Sequence, residues 1–425
     1  MSAESAKAWE LLDAGDVPGT MRHLRFTADK LDMADLARIV GRVSGLVGFD
    51  DLVEAASALA TAPDQPKALY DFGYASVEHG AGYLAIPALT TALRLRPDSL
   101  PILTELVAAL EDGGRHGEAV RLLEERDAIL SPWPHRYLLV FNAIIAGDLA
   151  TATRHADRLP APDDDRWTPA RDRITRMLDR AAAARTATSL DHRDLRGWQF
   201  VLTGGVLSTL SPFGFAEGMT GRYAYTQDDL GHCRHGLHRL QLILRATGRR
   251  PSTVSLLPDR SSRILGLAAA EILGLPAIPF APARPDTVVV AYDLTQADEG
   301  VAGGLRDRAP GQLLYEHATR WTDPPAVPAD VSTFLHQTVV APWGERLRGA
   351  PDGSVAKEPA DDRPAEELAA EITRADPERD PGDGATPADP GETLTTFTTT
   401  VAREWATGVR DRVASPGPVP SSRFL

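Results

Sequence analysis

Tyr70-Asp71-Phe72-Gly73-Tyr74-Ala75, followed by Gly80, Ala85-Ile86 and Ala92-Leu93-Arg94-Leu95-Arg96-Pro97, decides how the first part of the chain folds. Gly80 recurs as Gly114 after 34 residues, and Ala85 recurs as Ala119 after the same interval. Leu106, Ala109, Gly114 and Glu118-Ala119-Val120 repeat the pattern one period on; Leu139, Gly147-Asp148 and Ala152 repeat it again with one residue deleted. Small residues at the turn and at Ala75, Ala85 and Ala92 let two antiparallel helices approach closely, while Phe72 and Leu93 fill the gap between them. Each pair leaves an apolar face that only a neighbouring pair can cover, so about three copies are the minimum for a stable stack. Gly15-Asp16 and Gly48-Phe49-Asp50-Asp51 stand at earlier interhelix turns as worn copies.

These residues and their spacing resemble the tetratricopeptide repeat. The resemblance implies an all-α tetratricopeptide-like helical array over residues 1–185, with a groove that holds a protein or peptide partner. An array that merely packs on the rest of its own chain is the other reading at this point.

Near residue 190 the period of 3.6 gives way to short β-branched runs separated by Gly and Pro, which predicts an α/β domain with a mainly parallel sheet over 190–350. Trp198–Thr203 and Val206–Leu210 flank Gly204-Gly205 and read as a hairpin. Asp228 or Asp229 caps a helix running to about Thr247. A strand at Thr253–Leu257, a polar loop, a helix at Arg263–Leu273 and strands at Ala277–Phe280 and Thr287–Ala291 follow. In such sheets ligands sit beyond the carboxyl ends of the strands. Asp259-Arg260-Ser261-Ser262 and Tyr292-Asp293-Leu294-Thr295 fall there, which makes Asp259, Arg260, Ser261, Ser262, Asp293 and Thr295 candidates for holding a small phosphorylated ligand.

Leu265-Gly266-Leu267-Ala268-Ala269-Ala270 followed by Leu273-Gly274-Leu275-Pro276, set between these strands, resembles a type I phosphoribosyltransferase. In that family the later strand ends in two adjacent acids that hold ribose hydroxyls, and a threonine- and glycine-bearing loop wraps the 5′-phosphate. Here Tyr292 stands in place of one acid, Asp293 remains, and no glycine follows Thr295 before Gly300. The resemblance therefore implies a degenerate phosphoribosyltransferase-like or Rossmann-like fold that binds rather than transfers.

His232-Cys233-Arg234-His235-Gly236-Leu237-His238 gathers three of the eleven histidines and the single cysteine at the start of one helix. His232 and His235 join the ligand-contact candidates; a metal there would need a further carboxylate or imidazole, from Asp228, Asp229 or a distant residue. No residue is assigned as catalytic or as a metal ligand, and the cofactor is unknown. One cysteine excludes an internal disulfide. No Gly-x-Ser-x-Gly, Gly-x-Gly-x-x-Gly or Walker sequence occurs.

The 425 residues carry a formal charge of -14, which argues against a phosphate backbone as the main partner and so against nucleic acid. No apolar run reaches the roughly 20 residues of a membrane helix, and the first residues lack a signal sequence, so the chain is expected to be cytoplasmic. Only four lysines among 45 basic residues suggest a GC-rich, bacterial source. Residues 351–391 hold 12 acids, 4 bases and seven prolines and read as an acidic, Pro-rich disordered linker. Leu394, Phe397, Val401, Trp405, Val409 and Val413 then form the stripe of an amphipathic helix over 392–414, before a flexible tail at 415–425. The function expected from the whole is an interaction scaffold that binds a protein partner through its repeats, with an accessory ligand-binding domain. The alternative is an enzyme acting on a nucleotide or sugar phosphate.

Overall fold

A computed structural model describes residues 2–349, 355–377 and 381–423. The chain divides into two compact units, Met1–Arg171 and Asp172–Leu425. The expected boundary at 185–190 moves earlier because the helix crossing this region bonds within the second unit, as in Arg176 to Asp411 at 2.5 Å.

The first unit runs α1 (Ala3–Asp13), α2 (Val17–Thr27), α3 (Met33–Val47), α4 (Asp50–Thr61), α5 (Pro66–Glu78), α6 (Gly82–Leu95), α7 (Leu100–Asp112), α8 (His116–Glu124), α9 (Tyr137–Ile145) and α10 (Leu149–Ala156). These helices pair antiparallel, α1 with α2 through α9 with α10, and each pair turns at a glycine. Gly15, Gly48, Gly80, Gly114 and Gly147 have φ between 66° and 82°, a backbone that a side chain resists. At each turn the next amide reaches back to the same carbonyl: Asp16 to Leu11, Phe49 to Ser44, Ala81 to Ser76, Arg115 to Leu110 and Asp148 to Ala143, at 2.8–3.0 Å. Five copies of one turn make this a tetratricopeptide-like array, and its core runs continuously from Ala8 to Leu139.

In the second unit α11 (Thr168–Ala184) and α12 (Leu195–Thr203) precede β1 (Val206–Leu207), β2 (Tyr223–Gln227), α13 (Leu230–Ala246), β3 (Thr253–Leu256), α14 (Arg260–Leu273), β4 (Ala277–Pro279), β5 (Thr287–Ala291), α15 (Glu299–Arg306), β6 (Leu313–Arg320) and β7 (Val331–Val340). The strands form one parallel sheet in the order β4, β3, β5, β6, β7, and β7 pairs with β1 at Val331–Ser332 and with β2 at His336–Val340. The chain therefore builds outward in both directions from the boundary between β3 and β5, the point at which such sheets place their crevice.

Four expectations are corrected. The hairpin around Gly204-Gly205 is instead the helix α12 and a short parallel strand: Asp194 caps the Gly197 amide at 2.9 Å and Gly204 ends the helix at φ 77°. Trp198, Phe200 and Val201 of α12 are buried, and residues of this kind suit a buried strand as well as a helix, so the caps decide. In 351–391, residues 351–354 and 378–380 lie outside the described residues; the remainder is ordered, with β8 (Arg346–Gly349) pairing β9 (Val355–Glu358) and α16 (Ala365–Arg374) packing on α14. Leu368, Ala369 and Ile372 supply a buried stripe that the acidic composition masked. The last helix, α17 (Gly391–Val401), stops well before 414, and Trp405 turns under to give its Nε1–H to the Asp330 carbonyl at 2.9 Å. Of the expected loose tail, 424–425 lie outside the described residues, while Ser422 donates its amide to the Gly218 carbonyl at 2.8 Å and Arg222 holds the carbonyls of Pro416 and Val419. No helix among the described residues is long and apolar enough to cross a membrane.

Candidate functional site

The loops after β3 and β5 meet, as the strand order requires. Asp259 caps α14 by accepting the Ser262 amide at 2.8 Å, and the Ser262 hydroxyl oxygen accepts the Tyr292 amide at 3.0 Å. Ser261 accepts Trp343 Nε1–H at 2.9 Å, while Arg260 donates to the carbonyls of Asp361 and Arg363 at 2.7 and 2.9 Å. Asp293 takes both the amide and the hydroxyl of Thr295, at 2.9 and 2.7 Å. All six candidates from these loops thus bond within the chain. Tyr292 and Trp343, both buried with ring centres 5.2 Å apart, stand between the first turn of α14 and the end of β5. Tyr292 therefore packs between these loops, with its hydroxyl directed to Asp228.

His232 leads to a different centre. Asp228, fully buried where β2 runs into α13, accepts from His232 Nδ1 at 2.8 Å, His317 Nε2 at 3.0 Å and the Tyr292 hydroxyl at 2.9 Å, with Cys233 Sγ 3.5 Å away. An ionised carboxylate only accepts, so both imidazoles turn an N–H towards it. Burial alone would raise the Asp228 carboxyl, but the two histidines outweigh it and hold the group well below the usual carboxylate range. Burial lowers His317 despite the attraction of Asp228, and burial then Asp228 push the Tyr292 hydroxyl and the Cys233 thiol well up. The carboxylate is thus the charged acceptor at the centre of this ring of donors. His232 Nε2 is buried without a hydrogen-bond partner, and Phe334 stacks on the His232 ring at 4.7 Å. His235, one turn further along α13, is half-buried and is not among the groups bonded to Asp228.

Sequence reading placed His232 near a possible carboxylate but left His317 without a role. The four-residue step from Asp228 to His232 is a legible helical signal. His317 comes from β6, 89 positions away, and only the sheet brings it in.

On the array, α5 and α7 lie side by side as the first helices of successive pairs. Tyr70 and Tyr74 stack at 6.2 Å on α5, and Tyr74 is exposed. Glu105 of α7 lies close to Tyr70; burial, then the charge of Glu78, raises its carboxyl. Around the last pair Trp133, Tyr137, Phe141 and Trp167 form a separate aromatic cluster with ring centres 5.7–6.3 Å apart.

No family model and no curated protein matches the chain. Among solved structures it is similar to MamA AMB-1, at 23% identity over 37% of this chain and 96% of that one, with a TM-score of 0.25. It is also similar to MamA from Desulfovibrio magneticus RS-1, at 17% identity over 37% of this chain and 94% of that one, with a TM-score of 0.24.

Proposed function

We propose that this protein is an interaction scaffold whose helical array holds a basic segment of a protein partner, with the α/β unit as an accessory domain. The supporting observation is the face of α5 and α7. Two stacked tyrosines there adjoin Glu78 and Glu105, and neither carboxylate forms an ion pair among the described residues. A half-buried carboxylate beside tyrosine faces suits a lysine or arginine side chain, which gains both charge attraction and ring contact. The unit as a whole agrees: Met1–Arg171 contains 26 acidic and 17 basic residues, a net of -9. Aromatic anchors with a charged neighbour are the residues that dominate protein interfaces.

A small phosphorylated ligand beyond β3 and β5 is the second reading. The strand order favours it; the internal bonding of Asp259, Ser261, Ser262, Asp293 and Thr295 and the burial of Tyr292 and Trp343 weigh against it.

The test is binding of fluorescent helical peptides of matched length, one basic and one acidic, to the full chain. The basic peptide is expected to bind, with a dissociation constant that weakens at least tenfold in Tyr74→Ala and in Glu78→Lys and rises with salt. Equal binding of both peptides, or variants that bind as the natural chain does, would sink the proposal.

A further inference from the structure

Two other buried aspartates of the second unit are each matched by a pair of arginines, while Asp293 takes the amide and hydroxyl of Thr295. Asp330, with no exposed surface, faces the guanidinium groups of both Arg308 and Arg410. Asp389 faces those of Arg196 and Arg239, with Nη2 to carboxylate distances of 2.8–2.9 Å. Two cations per buried carboxylate offset the cost of removing its charge from water.

Asp228 has no such pair of arginines, although it collects more side-chain donors than Asp293. It too has about 1% of its surface exposed, yet no guanidinium or ammonium reaches its carboxylate; Arg346 bonds its backbone carbonyl instead. What surrounds the carboxylate is His232, His317, Tyr292 and Cys233, every one a group that binds metal ions when it loses a proton or offers a lone pair. One oxygen of Asp228 and one nitrogen from each of His232 and His317 lie within 4.8 Å of one another, the one such trio among the described residues.

We propose that Asp228, His232 and His317 form a site for a divalent transition metal of the zinc class, the cation this buried carboxylate lacks. Two imidazoles and one carboxylate are a donor set that such ions take readily. The surroundings fit the role. When His317 Nε2 gives its lone pair to the ion, its proton moves to Nδ1, which faces the Tyr315 hydroxyl at 3.3 Å; that hydroxyl is fixed in turn by Thr333 at 2.7 Å. A ligating imidazole usually has such a partner, which holds its ring and its tautomer. Phe334, edge-on to His317 at 5.1 Å and stacked on His232, forms an apolar wall. The Tyr292 hydroxyl and the Cys233 thiol, both beside the Asp228 carboxylate, are next in line for the fourth position. Asp228 and His317 are sealed from solvent, so the ion is loaded as the chain folds and acts to hold β2, α13 and β6 together.

The full chain, unfolded with a chelator and refolded with Zn²⁺ or Co²⁺, is expected to carry one equivalent of metal by elemental analysis and native mass spectrometry. It should melt at a higher temperature than the chain refolded without metal. The Co²⁺ spectrum reports whether sulfur or oxygen fills the fourth position. His232→Gln, at a side chain that is 17% exposed and so tolerates replacement, should bind Co²⁺ at least tenfold more weakly, as should His317→Gln. His238→Gln, on the same helix but outside the trio, should bind it as the natural chain does. A refolded natural chain without stoichiometric metal, or a His232→Gln chain that keeps full occupancy, overturns the proposal.

Discussion

Glu316, adjacent to His317 on β6, is buried without any cation and so must deal with its charge by itself. Burial, then the nearby Asp293, pushes its carboxyl up to about 8, while hydrogen bonds from Thr319 and the Leu294 amide recover only part of that. At neutral pH the group is therefore a neutral acid. It accepts the Leu294 amide at 2.6 Å through one oxygen and the Thr319 hydroxyl at 2.5 Å through the other, and Thr319 Oγ1 lies 2.9 Å from the Ser332 hydroxyl. Between an unfolded value of about 4.3 and the folded value near 8, the native chain holds one proton more than the unfolded chain. Stability then falls as pH rises through that window, by up to about 1.4 kcal/mol per pH unit, and levels off above it. Glu316→Gln keeps the neutral shape and removes the titration. Urea midpoints measured from pH 5 to 8.5 should therefore fall less steeply for the variant. His336, pushed down to about 4 by burial, has the opposite slope below its unfolded value but is present in both chains and cancels in the difference. Asp228 and Asp330, held low, lose their contribution only in stronger acid. Parallel curves for the two chains would mean that Glu316 is ionised in the fold.

At the scale of elements, close approach within a repeat is the property that the small residues at Ala75, Ala85 and Ala92 expressed, and Gly73 shares it. A Cβ on Gly73 would come within 2.4 Å of Leu89 Cγ, a fully buried side chain on the facing α6. Gly73→Ala should therefore destabilise the array by about 1–3 kcal/mol, the usual cost of overpacking, despite the better helix propensity of alanine. Gly45 on α3 is the control: its Cβ would meet nothing nearer than Val53 Cγ2 at 3.8 Å, so Gly45→Ala should stabilise by about 0.5–1 kcal/mol. Urea unfolding followed by far-ultraviolet circular dichroism distinguishes them, and a Gly73→Ala midpoint at or above that of the natural chain would refute the packing argument. Such helix pairs were legible because glycine and small residues recur where geometry leaves no other choice. α13, α14 and the strands from β3 to β5 were legible for a related reason, as Asp229, Asp259 and Gly274 mark their ends. What escaped the sequence was decided by distant partners. α12 read as a strand because aromatic and β-branched residues suit either backbone, and α16 was hidden by the acids around its three apolar residues. His317 had no local sign at all, since its partner Asp228 belongs to another strand's end.

At the scale of the whole molecule, the chain after α17 returns through the α/β unit and fastens pieces that the sheet alone leaves apart. Arg410, with no exposed surface, bonds Asp330 at the start of β7 and the carbonyls of Leu305 and Arg306 at the end of α15, directly or through its own amide. Trp405 bonds the Asp330 carbonyl, and Arg222 and Arg423 both lie over the Trp321 ring, at 5.0 and 5.3 Å from its centre. Ending the chain at Val401 removes Arg410 and leaves Asp330 buried with Arg308 alone. Loss of one partner from such a buried pair costs about 3–5 kcal/mol. The total stability of a domain is about 5–15 kcal/mol, so this one loss takes a large share before the cost of exposing Trp405 is added. The core of the array, by contrast, is made entirely of residues from Ala8 to Leu139, and none of it comes from the deleted segment. Hydrogen exchange of the full chain and of the chain ending at Val401 should therefore show protection lost across β6, β7 and α15 and retained from α3 to α8. Unchanged protection in β6 and β7 would mean that the returning segment only covers the sheet; a loss that extends through α3 to α8 would mean that the array depends on the second unit for its fold.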